Sequence, residues 1–116
     1  GSRGGAVVLA GAFLAVAAYQ QVTDIAPNFA KGFYNLGIAL KASGQLQQAI
    51  GAYDRAISID PEYADAYQNL GVALIHSGQI QQAIAAFTSA IKYHEQQNNP
   101  ARAQVIRDGI RDLGLI

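Results

Sequence analysis

Apolar residues recur along part of this chain at the spacing of amphipathic helices, with neighbours three and four positions apart. Two such stripes lie between residues 30 and 60, and they consist of Phe33, Leu36, Gly37 and Leu40 and of Leu46, Ala49, Ile50, Tyr53 and Ile57. Between them, Ser43-Gly44-Gln45 is typical of a turn. Asp60-Pro61 is expected to end the second helix, because the residue before a proline is disfavoured in the α region. The pattern predicts a helix–turn–helix hairpin.

The hairpin pattern occurs twice. When the sequence is shifted by 34 positions, residues 30–61 align with residues 64–95, and about half of the aligned positions are identical. Gly37 and Gly71 each weaken a helix interior by roughly 1 kcal/mol relative to alanine. That cost is understandable if a neighbouring helix packs closely there, and Tyr53 and Phe87 are the large side chains expected to fill the gaps.

The repeated residues resemble those of a known family. An aromatic-x-x-Leu-Gly pattern, followed by alanine, an aromatic, alanine and a closing proline at a period of 34, resembles the tetratricopeptide repeat. Residues 30–63 match throughout, whereas residues 64–97 match until Glu95 replaces the closing proline, so that helix is expected to run on through Gln96 or Gln97. The resemblance implies an all-α fold, a short right-handed α-solenoid of stacked helix–turn–helix repeats with a C-terminal capping helix.

The C-terminal residues 98–116 are expected to form that cap. Asn98-Asn99-Pro100 is typical of a helix start, with proline in the first turn. Ile106, Ile110 and Leu113 would form the one apolar face that such a helix buries on the last repeat.

The N-terminal residues 3–29 are expected to form an apolar helix of a partial repeat, after a cloning remnant at Gly1-Ser2. Residues 4–22 carry no charge, and residues 12–27 resemble the second helix of another repeat, with Tyr19 in the position of Tyr53. The matching first helix would either begin before residue 1 or be replaced by residues 4–10.

Two other interpretations of this segment remain. Arg3 followed by the apolar run of residues 6–18 mimics a signal peptide, or the stub of a membrane helix, although a span needs about 20 apolar residues. We favour a packed helix in a cytoplasmic protein over a membrane-attached or exported one. An exposed apolar face would promote self-association into a homo-oligomer. The residues expected to mediate it are Val7, Val8, Leu9, Phe13 and Leu14.

The composition offers little support for catalysis, cofactors or nucleic acid. The formal net charge is zero, whereas proteins that bind nucleic acid through phosphates usually carry a basic surplus. There is no cysteine, and His94-Glu95 lacks the second histidine of a zinc-protease helix because Asn98 stands there. His94 is therefore expected to be a surface residue near a helix end. We expect no enzyme, no cofactor and no metal.

The resemblance places a partner-binding groove on the first helices, on the side opposite the stripe of Phe33 and Leu36. Its residues would be Lys31, Tyr34, Asn35, Ile38, Lys41 and Ala42 from one repeat and Asp65, Gln68, Asn69, Val72, Ile75 and His76 from the next, with Phe29 and Tyr63 at the edge. Asparagine amides bond a partner's backbone in either sense. The first hypothesis is therefore a non-enzymatic module that binds a peptide or helix of a partner protein.

Two alternative functions follow from the N-terminal segment: a scaffold that assembles through its apolar helix, or a membrane-anchored assembly factor that retains part of its anchor in residues 4–22. Family members that bind chaperone C-termini use a clamp of lysines, arginine and asparagines. Lys31, Asn35 and Asn69 match parts of it, but Asp65 stands where a lysine would, so we do not predict binding of a chaperone tail.

Overall fold

The computed structural model describes residues 2–116, and the side chains of residues 3–116. The expected cloning remnant at Gly1 therefore lies outside the described residues, while Ser2 begins a helix. Within this part of the chain there are six α-helices and no strand, which confirms the all-α fold. The helices divide into two compact units, one ending at Ile59 and the other comprising Asp60–Ile116.

The N-terminal unit contains α1 (Ser2–Ile25), α2 (Ala30–Ala42) and α3 (Leu46–Ile59), and α2 packs against both of the others. The α2–α3 hairpin buries Leu36, Leu40 and Tyr53. A Cβ atom added to Gly37 would lie only 2.5 Å from Cε1 of Tyr53. The ring therefore occupies the space that a side chain at this position would need, which explains the glycine in the helix interior.

The helix α1 is continuous from Ser2 to Ile25. The suggestion that residues 4–10 form a separate first helix is therefore wrong, because they extend the same helix as residues 12–25. Of the apolar residues in α1, Ala12 and Val16 are buried, and Thr23 is buried on the same side. Near its C-terminal end, α1 approaches α2 closely, since a Cβ on Gly32 of α2 would lie 3.2 Å from Cγ1 of Val22.

The C-terminal unit contains α4 (Ala64–His76), α5 (Ile80–Gln96) and α6 (Pro100–Asp112), and α5 packs against both of the others. Its hairpin repeats the packing of the first one, since a Cβ on Gly71 would lie 2.6 Å from Cε1 of Phe87. The helix α5 runs to Gln96, as Glu95 in place of proline predicts. It ends where Asn98 adopts a left-handed backbone with φ of 63°.

Both hairpin turns have the same geometry. Gly44 and Gly78 have φ of 83° and 79°, a left-handed conformation that glycine adopts without steric cost. In the first turn, the Gln45 amide donates to the Leu40 carbonyl at 2.8 Å, and the Gly44 amide donates to that of Lys41 at 3.0 Å. This pair of bonds is the Schellman arrangement that satisfies the last carbonyls of a helix.

The helix α6 begins as the sequence predicts, with Pro100 in its first turn and the Asn99 side chain accepting from the Arg102 amide. Ile106 and Ile110 are buried. Leu113 is not, since it follows the end of α6 and is 61% exposed. It nevertheless lines the same apolar cavity as Ile106 and Ile110, beside Val72 of α4.

Candidate partner-binding surfaces

In the N-terminal unit, the predicted groove residues lie along one side of α2. Ile38 is 42% exposed, and Lys31 and Ala42 are also exposed. The Tyr34 ring lies 6.2 Å from the Tyr53 ring, centroid to centroid. Partial burial lowers the pKa of Lys41 from its usual range. This side of α2 therefore combines accessible apolar surface with two basic side chains.

An apolar cavity of about 330 Å³ lies between α1 and α2. Its lining is Val8, Ala12, Ala15 and Tyr19 from α1 and Asn35, Ile38, Ala39 and Ala42 from α2. None of these side chains is charged. We call it the α1–α2 cavity, and it brings together three of the residues predicted for the groove, Asn35, Ile38 and Ala42, with residues of the N-terminal helix.

In the C-terminal unit, half of the equivalent side of α4 is engaged by other helices. Asp65 accepts from Nη1 of Arg102 at 2.9 Å, and its Oδ1 lies 3.6 Å from Nε2 of His94. Oε1 of Gln68 lies 3.3 Å from the same histidine nitrogen. Val72 and Gln68 line a second cavity, of about 170 Å³, against α6. Ile75 is half-buried and His76 is exposed.

His94 is buried, with 3% of its surface exposed. The expectation that it is a surface residue is therefore wrong. The signal was present in the sequence, because His94 follows Phe87 and Ala90 at helical spacing on the buried face of α5. Burial lowers the pKa of His94, the Asp65 carboxylate opposes that shift, and Arg102 adds to it.

His94 also lines a polar cavity of about 340 Å³ in the C-terminal unit. The other lining residues are Asp60, Glu62, Tyr63, Ala64, Asp65, Gln97, Asn99 and Arg102. The Gln97 amide donates to the Glu62 carbonyl at 2.7 Å, so polar contacts tie the start of α4 to the segment after α5. Sequence inspection missed this network, because the pairing of Asp65 with Arg102 spans 37 residues.

The five residues expected to mediate self-association lie in the N-terminal half of α1. All are exposed, by 43 to 73%, and they are Val7, Val8, Leu9, Phe13 and Leu14. Val8 is also part of the α1–α2 cavity. These side chains therefore form an exposed apolar surface on α1.

Residues Arg3–Ile25 also form a helix that is long and apolar enough to cross a membrane by length and composition, a test that soluble core helices and signal sequences pass too. In this fold, however, α1 lies along α2 from Val8 beside Ala42 to Val22 beside Gly32. Only 11% of the apolar stretch is buried within the fold.

The sequence matches the family models of the tetratricopeptide repeat over residues 40–105 and over residues 18–51. The first match covers more than half of the chain. The chain belongs to the tetratricopeptide repeat family. No curated protein matches its sequence significantly.

Solved structures agree with the tetratricopeptide repeat assignment. A structure of MamA from Desulfovibrio magneticus RS-1 is 31% identical, with a TM-score of 0.72, and the match covers 83% of this chain and 55% of MamA. The chain thus spans about half the length of the MamA structures it matches. The TPR2B domain of yeast Sti1, in complex with pHsp70, is 25% identical with a TM-score of 0.78, covering 91% of this chain and 90% of the domain.

A third neighbour shares the fold alone. The type III secretion chaperone SycD of Yersinia enterocolitica, in complex with a peptide of the translocator YopD, is 18% identical. Its TM-score is 0.74, and the match covers 88% of this chain and 81% of SycD.

Proposed function

We propose that this tetratricopeptide repeat chain is a non-enzymatic interaction module, and that it holds a peptide or helix of a partner protein on the N-terminal unit. The Sti1 domain, a relative of similar size, binds pHsp70, which supports a protein or peptide partner here as well. The observation that carries the proposal is the open, uncharged α1–α2 cavity on the predicted groove side of α2.

The two first helices differ in how much of their predicted groove side is accessible. On α4, Asp65 and Gln68 contact Arg102 and His94. On α2, Ile38 is exposed at the edge of an apolar cavity, with Asn35 beside it. Apolar lining with one amide to orient a ligand is typical of ligand-binding clefts. We therefore place the main contact on α2 and treat the α4 residues as secondary.

Affinity capture with immobilised variants tests this assignment. Ile38→Asp, and separately Asn35→Ala, should reduce the recovery of partner proteins from a lysate of the source organism while leaving the melting temperature unchanged. Gln47→Ala, at an exposed position of α3, is the matched control and should recover the same proteins as the unmodified chain. Recovery that is unaffected by both α2 substitutions contradicts the proposal.

Self-assembly is a second candidate function, favoured by the run of exposed apolar residues in α1. Contiguous apolar patches on monomers usually mark interaction sites. A chain with Phe13→Asp and Leu14→Asp should then be smaller in solution than the unmodified chain when both are measured by light scattering after size-exclusion chromatography. A clean monomer for the unmodified chain at high concentration contradicts self-assembly.

A further inference from the structure

His94 is a buried histidine at the junction of the three helices of the C-terminal unit. It belongs to α5, and its Nε2 atom lies 3.3 Å from Oε1 of Gln68 and 3.6 Å from Oδ1 of Asp65, both on α4. Arg102 of α6 donates to the same Oδ1 atom at 2.9 Å. One side chain that carries a positive charge and one that can acquire it thus converge on a single carboxylate oxygen.

The polar cavity beside His94 contains the other ionisable groups that face it. They come from the segment before α4, from α4 and from α6, and they are Asp60, Glu62, Tyr63, Asp65 and Arg102. Among the described residues, Asp65 is the only carboxylate within 4.0 Å of a ring nitrogen of His94. The pKa of His94 is lowered by burial, an effect that Asp65 opposes and to which Arg102 adds. The buried ring is therefore neutral above pH 6.5 and takes up its proton below that value.

The three side chains differ in their access to water. That of His94 is 4% exposed, whereas those of Asp65 and Arg102 are 42% and 57% exposed. A charge that is buried without a partner is costly, but a partly exposed arginine that loses an ion pair stays hydrated and loses little. A protonated His94 therefore gains more from the Asp65 carboxylate than Arg102 does.

We propose that His94, Asp65 and Arg102 form a proton-operated latch, in which protonation of His94 draws the Asp65 carboxylate away from Arg102 and loosens the first turn of α6 from α4. Two neutral contacts at the start of α6 remain in place. The Asn99 side chain accepts from the Arg102 amide, and the Gln97 side chain donates to a carbonyl of the segment before α4. The loosening is therefore partial, and it is confined to the start of α6.

The latch controls access to the groove side of α4. Val72 of α4 lines an apolar cavity together with Val105 and Ile106, which directly follow the first turn of α6. Above pH 6.5 the ion pair of Arg102 holds this part of α6 beside Val72. Once His94 is protonated, the start of α6 moves more freely and Val72 becomes more accessible. The latch thus adds a pH-dependent control of the α4 surface, which the proposed partner binding on α2 does not require.

Amide hydrogen exchange measured by NMR tests the latch. When the pH is lowered from about 8 to about 5.5, a range that spans the titration of histidine, the amides of residues 103–106 should become less protected. Their protection factors should fall by about two- to fivefold, as expected for the loss of a partly exposed ion pair. The amides of residues 84–88 in α5 report unfolding of the whole unit and should fall less. Equal falls in both helices, or unchanged protection of α6, would overturn the inference.

Variants assign the response to the latch. In His94→Gln, and separately in Asp65→Asn, the protection of α6 should no longer depend on pH over this range, because no carboxylate is exchanged. Arg107→Ala is the matched control, since it removes the 2.8 Å ion pair of α6 with Glu95, outside the polar cavity, and should keep the pH response. Melting temperatures establish that each variant is folded, and Asp65→Asn decides if His94→Gln does not fold. A response that persists without either latch residue would overturn the inference.

The pKa of His94 provides the reciprocal measurement, because the coupling between two equilibria acts equally in both directions. NMR signals of the His94 ring give this pKa directly, with the exposed His76 as an internal reference. Arg102→Ala should raise the pKa of His94, because it removes the cation that competes for Asp65, whereas Arg107→Ala should leave it unchanged. A pKa of His94 that Arg102→Ala does not raise would overturn the inference.

Discussion

The first helices α2 and α4 share a sequence pattern but differ in their surroundings. Both place a glycine against an aromatic ring of the following helix. On the opposite side, however, α4 meets the polar side chains of His94 and Arg102 and borders an apolar cavity of about 170 Å³ with α6, while α2 borders an apolar cavity of about 330 Å³ with α1. The residues that the two repeats share therefore determine the hairpins. The flanking helices α1 and α6 determine how much of the groove side of α2 and of α4 stays accessible.

The largest effects should come from the aromatic residues inside the hairpins. Tyr53→Ala and Phe87→Ala should each lower the free energy of unfolding by about 3–5 kcal/mol, because each leaves a hole beside a glycine. The equivalent Tyr19→Ala should cost at most about 1 kcal/mol, since the ring is only half-buried. Urea denaturation of the three variants measures this, and an equal loss at Tyr19 would mean that its ring is covered after all.

Introducing an aspartate at equivalent positions of α4 and α2 should give the next largest difference in the free energy of unfolding. Val72→Asp, between α4 and α6, should lower the free energy of unfolding by about 1–3 kcal/mol, because it places a polar group in an apolar contact. Ile38→Asp, at the equivalent position of α2, should change it by no more than about 0.5 kcal/mol. Thermal melts of the matched pair test the difference. Similar losses at both positions would contradict the accessible character of α2.

The buried histidine should make stability depend on pH. Burial lowers the pKa of His94 below its ordinary 6.5, so the unfolded chain binds the proton more readily than the folded chain. Its contribution to stability is therefore fully present above pH 6.5 and decreases as the pH falls through that value. Melting temperatures at about pH 8 and about pH 5.5 should differ less for His94→Gln than for the unmodified chain. An identical drop in both would assign the pH dependence to other groups.

The smallest effect is expected for the ion pair on α4. Arg102→Ala should lower the free energy of unfolding by only about 0–1 kcal/mol, because both Arg102 and Asp65 are partly exposed to solvent. A double-mutant cycle with Asp65→Asn at low and high salt measures the pair itself. A coupling that persists at high salt would show a stronger, less solvated contact.

The hairpins could be predicted from the sequence because their determinants are local. Helical spacing, Ser43-Gly44-Gln45 and the proline at 61 lie within the repeat, and the absence of a proline at 95 predicted the longer α5. The neighbours of each first helix could not be predicted in this way. His94 reaches Gln68 of α4 through a contact 26 residues away in sequence, and without a metal-binding motif around it the sequence suggested only a surface residue near a helix end.

The N-terminal helix shows the same limit of prediction from the sequence. The match of Tyr19 to Tyr53 favoured a packed helix, and α1 does pack on α2, but periodicity alone did not show that residues 4–10 continue the same helix. An uncharged run of residues without a turn signal is compatible with a packed helix, with a signal peptide and with a membrane helix. The α1–α2 cavity depends on how α1 lies on α2, which only the structure shows.

Site-specific photo-crosslinking tests most directly the claim that the N-terminal unit holds the partner. The chain has no cysteine, so Ala42→Cys and His76→Cys, at equivalent positions of the two repeats, can each carry a single benzophenone. Exposed to a lysate of the source organism, the label at position 42, beside the α1–α2 cavity, should give a discrete, saturable adduct that Ile38→Asp abolishes. The label at position 76 should give little or none. Equal adducts from both positions, or an adduct from position 76 alone, would contradict the account.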